Sequence, residues 1–212
     1  MDLVTERLLL IVPLVLSLSV HEWAHAWTAF RLGDDTAKRM GRMTLDPTSH
    51  IDLVGTILFP ALGIPFGWAK PVPVDPHRFR PGVDMRTGML WTALAGPLSN
   101  FVLAALSGVV LGVCLATLPR SAIPETLLAI FVQLNVGLAL FNLLPIPPLD
   151  GSRIVDRIVP DSLVSAWLKV RGQGPLILIG FVVVTQTLDI DLFAWPRWAA
   201  TAMVAALAQS LN

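Results

Sequence analysis

The stretch His21-Glu22-Trp23-Ala24-His25 decides what fold and what chemistry this chain is expected to have. It lies within residues 7–30, an apolar run long enough to cross a membrane as one helix. On a helix, the two histidines of an HExxH motif lie one turn apart on one face, where both imidazoles can reach a single zinc ion. The glutamate beside the first histidine is then placed to act as a general base. The alternative is two histidines that are packed against neighbouring helices by hydrogen bonds.

Composition indicates an integral membrane protein. The chain has 212 residues, of which 54% are hydrophobic and only 14% charged, whereas about 25% of the residues of a soluble domain are charged. The formal net charge is zero, so nucleic acid is not an expected partner. We interpret residues 1–212 as one membrane domain. The single cysteine, Cys114, lies in an apolar run and is read as an ordinary packed residue.

Hydrophobic segments predict an all-α, polytopic bundle of about five to six transmembrane helices. Five segments are apolar enough, namely residues 7–30, 87–118, 124–145, 174–188 and 195–211. A sixth, residues 51–66, would span only about 24 Å as a helix, which is short of a hydrocarbon core of about 30 Å. Pro60, Gly63 and Pro65 weaken it further.

Positive charge favours a re-entrant course for residues 51–66. If this segment dips in and returns, twelve of the fifteen Lys and Arg residues share one side and three (Arg7, Arg120 and Arg197) lie on the other. If it crosses, the split is nine against six. Because cytoplasmic loops are enriched in Lys and Arg, we expect an outside N-terminus, and a site that lies toward the cytoplasmic side of the membrane.

Residues 67–74 predict a β-like edge next to this segment. Prolines at positions 71 and 73 remove amide donors from one edge, while Lys70, Val72 and Val74 keep theirs on the other. Such a strand pairs on one side only, which suits an extended substrate bound to Lys70 and Val72. The alternative is a surface linker of polyproline type.

A third zinc ligand is expected, because catalytic zinc usually has three protein ligands and a water. Asp150 is the best candidate, since it follows an apolar helix and a proline-rich break and precedes Gly151, which permits a sharp turn. The alternative is that Asp150 caps the next helix. His50 is the second choice of ligand. His50 and His77 both lie in polar loop sequence, where solvated histidines are the simpler reading.

Two asparagines fall within apolar segments, Asn100 and Asn142. They are read either as interhelical hydrogen-bonding residues or as amides that hold a substrate backbone or stabilise an oxyanion.

These residues together resemble the site-2 protease family of intramembrane zinc metalloproteases, in its short prokaryotic form without PDZ or CBS domains. The resemblance rests on three motifs, which are His21-Glu22-Trp23-Ala24-His25, Gly96-Pro97-Leu98-Ser99-Asn100, and the run from Asn142 to Gly151. It implies one zinc ion held by His21, His25 and Asp150, Glu22 as catalytic base, and Asn142 near the active site.

The expected function is therefore that of a zinc metalloendopeptidase that cleaves transmembrane protein substrates in regulated intramembrane proteolysis. The expected location is a prokaryotic plasma membrane. Two alternatives from other classes are a non-catalytic relative that binds membrane helices and a metal transporter.

Overall fold

The computed structural model describes residues 3–61, 67–117 and 122–190, together with five residues between 194 and 202. The regular structure of this part of the chain is helical. Its helices are α1 (Leu3–Leu32), α2 (Thr36–Arg39), α3 (Phe59–Ala61), α4 (Met85–Thr117), α5 (Ala122–Asn142), α6 (Ser152–Ile158), α7 (Val164–Gly172) and α8 (Gly174–Thr187). A π-helical turn, Leu53–Leu58, leads into α3. No strand occurs in the described ranges, so the all-α class is confirmed.

Helix α4 packs against both α1 and α5, and these three long helices form the centre of the protein. Small residues line their contacts, since Ala26, Ala29, Ala104 and Ala139 are all fully buried. Small side chains allow helix backbones to approach closely, which is the usual way that membrane helices associate. The tight contact between α1 and α4 positions the HExxH motif against α4.

The outer face of α4 is apolar and exposed. Leu98, Val102 and Leu106, which follow one another at four-residue spacing, are each more than half exposed. By length and composition, Met85–Thr117 and Pro124–Asn142 are able to cross a membrane. The pair Asp161–Gly172 and Gly174–Thr187, bent by 67°, would form a third span if it acted as one.

The predicted number of five to six spans is not confirmed. Four predicted segments correspond to α1, α4, α5 and α8, but α8 has only 14 residues. The fifth, residues 195–211, lies almost entirely outside the described residues.

The chain between His50 and Lys70 begins and ends at neighbouring positions. The amide of Lys70 donates to the carbonyl of His50 at 2.9 Å, and the Thr56 hydroxyl donates to the Trp68 carbonyl at 2.8 Å. Adjacent ends are incompatible with a single crossing by residues 51–66, so they support the predicted return. Residues 62–66 lie outside the described part.

The predicted β-like edge at residues 67–74 is wrong as secondary structure. The segment is irregular and has no partner strand among the described residues. Its alternating prolines remove the donors that a continuous ladder would need. The amide of Lys70 bonds to the His50 carbonyl, and the amide of Val72 reaches the HExxH motif, as described below.

Candidate metal centre

Both histidines of the motif point from α1 into the contact with α4, where their rings are held by hydrogen bonds. His25 Nδ1 donates to the Thr92 carbonyl at 2.7 Å, and His21 Nδ1 lies 2.6 Å from Asn100 Oδ1. The two imidazoles are nearly fully buried. Pro97, five residues beyond Thr92, is an internal proline of α4, and it cannot donate the helical hydrogen bond to the Ala93 carbonyl.

The partners of the Nδ1 atoms determine which ring nitrogens carry protons. A carbonyl oxygen only accepts, so His25 must carry its proton on Nδ1. The Nδ2 of Asn100 faces Asn135 Oδ1 at 2.8 Å and the Ser17 carbonyl at 3.5 Å, which orients Oδ1 toward His21 as an acceptor. In the neutral rings, both Nε2 atoms are therefore unprotonated, and they lie 2.9 Å apart.

Asp150 is brought to these atoms by a tight turn after α5. The amide of Gly151 donates back to the Asn142 carbonyl at 2.6 Å, and the amide of Leu149 donates to the Ile146 carbonyl at 2.9 Å. A Cβ at position 151 would lie 2.2 Å from the Leu143 carbonyl oxygen, so the turn requires glycine. Gly151 is also the N-cap of α6, without a side-chain cap; the predicted alternative, Asp150 as a helix cap, is not what the structure shows.

Three electron-pair donors thus converge on one point. Asp150 Oδ2 lies 3.1 Å from His21 Nε2 and 3.4 Å from His25 Nε2. This oxygen is buried and makes no hydrogen bond with the described residues. Tetrahedral zinc with bonds of about 2.0–2.1 Å places its ligands about 3.3 Å apart. The donor set and its spacing therefore fit a zinc ion, because without a cation the three lone pairs would repel one another.

Glu22 lies beside this cluster and is held differently. Its Oε2 accepts a hydrogen bond from the Val72 amide at 2.8 Å. Ligand atoms of His21, Glu22 and His25 also lie within 4.8 Å of one another, so Glu22 is an alternative third ligand by distance alone. The hydrogen-bond pattern favours Asp150 as the ligand, because its Oδ2 lacks a partner, whereas the Glu22 carboxylate already has one.

Gly96 is a site residue that the sequence marked only as the first residue of the second motif. A Cβ at this position would lie 2.5 Å from Cε1 of His21 and from Cε1 and Nε2 of His25. The imidazoles therefore occupy the space that any larger residue on α4 would fill. The steric requirement depends on which helix faces the motif, so the sequence alone does not reveal it.

Asn100 is fully buried and contacts His21, so its predicted role toward substrate or an oxyanion is not supported. It belongs to a chain of buried polar groups that continues to Asn135, whose Nδ2 donates to the Ser17 hydroxyl at 2.8 Å. Sequence analysis missed Asn135 and Ser17. The signal available in the sequence was a polar residue within each apolar run. In the structure both side chains are fully buried.

The other predicted residues take different positions. Asn142 lines the cavity next to the cluster and donates from Nδ2 to the Leu138 carbonyl at 3.0 Å. His50 is buried rather than solvated, with Nε2 2.8 Å from the Thr44 carbonyl, while His77 is exposed as expected. The amide of Lys70 donates to the His50 carbonyl, and the amide of Val72 donates to Glu22. Both amides that were predicted to bind substrate therefore already have a partner.

A cavity of about 450 Å³ opens onto the cluster. Its wall combines three residues of the HExxH motif and Asp150 with residues of the irregular segment 67–74 and of the ends of α4, α5 and α6. The lining residues include His21, Glu22, His25, Asp150, Val72, Val74, Met89, Phe141, Asn142 and Arg153. A largely apolar cavity with convergent polar groups is the usual form of a small-molecule or substrate site.

An HExxH helix, a carboxylate from a distant turn and an adjoining cavity are together typical of metallopeptidases. Comparison with known proteins agrees with this class. Residues 116–185 match the family model described as Peptidase family M50. The chain is 39% identical over 197 residues to "Putative zinc metalloprotease YwhC" of Bacillus subtilis, covering 88% of this chain and 84% of that protein. The chain belongs to this family, the site-2 proteases.

Mycobacterial relatives are also similar. The chain is 29% identical over 200 residues to "Putative zinc metalloprotease Rip2" of Mycolicibacterium smegmatis, covering 90% of this chain and 72% of that protein. It is 37% identical over 142 residues to the Rip2 of Mycobacterium tuberculosis strain H37Rv, covering 65% of this chain and 52% of that protein. No solved structure matches the chain significantly.

Proposed function

We propose that this protein is an intramembrane zinc metalloendopeptidase, with one zinc ion per chain held by His21, His25 and Asp150. The observation that carries the proposal is the convergence of His21 Nε2, His25 Nε2 and Asp150 Oδ2, which lie 2.9–3.4 Å from one another. Zinc bound at such a site supplies a Lewis acid that polarises a peptide carbonyl and acidifies water.

The residues around the cluster have separate roles in this reaction. Glu22, which lines the cavity, takes the proton of the attacking water and delivers it to the leaving amide nitrogen as the peptide C–N bond breaks. Asn100 and the Thr92 carbonyl keep both Nδ1 atoms protonated and the two rings oriented toward the third ligand. The burial of these groups excludes bulk water from all but the cavity.

The substrate class follows from the setting of the site. The motif lies within a 30-residue helix that packs against α4, whose outer face is apolar and exposed. A protein segment that reaches this cavity is therefore expected to come from a transmembrane substrate. The substrate must be extended where it is cut, because a helical amide is already hydrogen-bonded within its own helix. Asn142 and Val72 line the cavity, and with the neighbouring Lys70 they are the residues expected to contact the extended chain.

The site is expected toward the cytoplasmic side of a plasma membrane. The short helices that follow α1 and α5, which are α2 and α6, carry Lys38, Arg39 and Arg153, and the positive-inside rule places such connecting segments in the cytoplasm. The return of the chain at His50 and Lys70 keeps the basic residues on both sides of that segment together. Cleavage there would release a cytoplasmic fragment, which is the output of regulated intramembrane proteolysis.

The test uses full-length protein reconstituted in liposomes with a single-span substrate that carries a reporter on each side. Zinc-loaded wild type is expected to cleave within or beside the span, chelation is expected to stop cleavage, and added zinc is expected to restore it. Glu22→Gln should retain zinc and lose roughly 10²–10⁴-fold in kcat. Turnover by Glu22→Gln at the wild-type rate would overturn the role of Glu22. Substrate binding without cleavage by wild type would instead indicate a helix-binding protein, and zinc flux into the liposomes a transporter.

A further inference from the structure

We infer that Arg42 is a positioning residue for Glu22, acting through the peptide group that joins Pro71 to Val72. The inference rests on the proposed function, in which Glu22 is the catalytic base. Arg42 follows α2, and neither the motifs nor the resemblance assigns it a role. It does not touch Glu22; it holds the carbonyl end of the group whose amide end bonds to that carboxylate.

The side chain of Arg42 is buried and donates hydrogen bonds to two consecutive carbonyls of the irregular segment 67–74. Only 9% of the residue is exposed. Its Nη2 donates to the Lys70 carbonyl at 2.6 Å and to the Pro71 carbonyl at 3.4 Å. Arg42 forms no ion pair with the described residues, and its Nε is buried without a hydrogen bond among them. A buried guanidinium without a carboxylate partner is costly, so stability alone is a poor account of its presence.

The geometry of the Pro71–Val72 peptide group connects these hydrogen bonds with the Glu22 carboxylate. The Pro71–Val72 bond is trans, because the cis bond found in the described chain is Pro147–Pro148. In a trans peptide the carbonyl and the amide point in opposite directions within one plane. Fixing the Pro71 carbonyl toward Arg42 therefore directs the Val72 amide away from it, to Glu22 Oε2 at 2.8 Å. Because Pro71 and Pro73 have no amide hydrogen, Val72 supplies the amide donor at this point.

The connection between Arg42 and Glu22 begins and ends at α1. The backbone amide of Arg42 donates to the Ala37 carbonyl of α2 at 2.8 Å, and α2 packs against α1, which carries Glu22. The path thus runs from α1 through α2 and Arg42 to the irregular segment and back to α1. A closed path of this kind fixes the position of the Glu22 carboxylate relative to His21 and His25, which lie on the same helix.

The test compares Arg42→Gln, Arg42→Lys and a control, Arg39→Gln, in full-length zinc-loaded protein. Arg39 is an exposed neighbour that pairs with Asp35 and lies outside the machinery. Because small misplacement of a catalytic group costs up to about 100-fold, we expect Arg42→Gln to lower kcat by roughly 10- to 100-fold with KM and zinc content little changed. Arg42→Lys keeps the charge and one donor head, so it should recover part of the loss. Arg39→Gln should match wild type.

A second measurement does not depend on cleavage. Hydrogen–deuterium exchange of peptides covering residues 67–75 should show faster exchange in Arg42→Gln and in Glu22→Ala than in wild type, and unchanged exchange in Arg39→Gln. This reading stands even if the wild type proves inactive, so it separates failure of the inference from failure of the proposed function.

Three outcomes would overturn the inference. In the first, Arg42→Gln keeps kcat within about twofold of wild type. In the second, its activity falls only in proportion to the loss of folded, zinc-loaded protein, which would make Arg42 merely structural. In the third, KM rises while kcat is unchanged, which would assign Arg42 to substrate binding alone. If Arg42→Gln fails to fold, Arg42→Lys and the exchange of Glu22→Ala decide the question.

Discussion

The two sides of the HExxH motif are built in different ways. On the α4 side, the imidazoles of His21 and His25 rest against Gly96 and bond to groups of a continuous helix, which are in turn fully buried. On the other side, the Glu22 carboxylate bonds to the backbone amide of Val72 in a segment without regular structure. The contrast teaches that the two histidines proposed as metal ligands are held between packed helices, whereas the proposed base, Glu22, is held by backbone that lies outside any helix.

The largest effect is expected from removing the proposed third ligand. Asp150→Ala deletes the unpartnered Oδ2 and leaves two imidazoles, which is fewer than the three protein ligands usual for catalytic zinc. We expect near-complete loss of bound zinc after purification in detergent and loss of cleavage, measured by metal analysis per folded chain. Asp161→Asn, at an exposed carboxylate, serves as the control. Zinc retained at the wild-type level by Asp150→Ala would assign the third position to another group, with Glu22 the first to examine.

The next largest effect tests the steric fit of α4 against the motif. Gly96→Ala places a methyl group 2.5 Å from ring atoms of both histidines, so the rings must move or the helices must separate. We expect zinc affinity to fall by about 10- to 100-fold, as measured by competition with a chelator. Gly180→Ala is the matched control, because a Cβ there meets nothing within 4 Å. Equal affinities in the two variants would show that α4 does not constrain the rings.

A smaller effect is expected from the hydrogen bond behind one ligand. Asn100→Leu keeps the size of the side chain and removes the Oδ1 acceptor of His21 Nδ1. Loss of such a partner typically lowers metal affinity by about 10-fold or more, while the ligands themselves stay in place. Chelator competition and kcat would be measured beside Ser99→Ala, since the Ser99 hydroxyl donates to the Gly96 carbonyl of its own helix. An Asn100→Leu enzyme with wild-type zinc affinity would mean that the imidazole is oriented by packing alone.

The smallest effect on activity is expected far from the motif, at Asp156. This carboxylate accepts from Trp167 Nε1 at 2.6 Å and from Arg153 and Arg171 at 2.9 Å each. Burial on its own would raise the pKa of Asp156, but these three donors hold it below its usual range. Asp156→Asn is expected to cost about 1.5–3 kcal/mol at pH 7, read as a lower thermal midpoint, with kcat little changed.

The pH dependence of that cost has a definite sign. Because the pKa of Asp156 is lowered on folding, its contribution is complete above the unfolded pKa of about 3.9 and is lost as pH falls through the folded value. The midpoints of wild type and Asp156→Asn should therefore differ at pH 7 and converge as the pH falls below about 4. A constant difference at all pH values would mean that the substitution acts through packing.

The sequence predicted the helical class and the HExxH face because both depend on local periodicity. Apolar runs mark α1, α4 and α5, and the i, i+4 spacing puts His21 and His25 on one face wherever that helix lies. The break at residues 145–148 and Gly151 also indicated the turn that carries Asp150, since proline and glycine restrict or permit backbone geometry locally. The role of zinc ligand assigned to these residues stays a prediction until zinc is measured.

Only the tertiary structure decided what surrounds the motif. That Gly96 makes room for two imidazoles, that Asn100 and Asn135 stand behind His21, and that Arg42 reaches the Pro71–Val72 peptide all depend on contacts between residues distant in sequence. The same holds for residues 67–74, whose pattern predicted a strand, whereas the amides of Lys70 and Val72 bond to His50 and Glu22. Local pattern fixes which groups an element presents, whereas the packing of elements fixes which groups meet, because each contact depends on the positions of both partners.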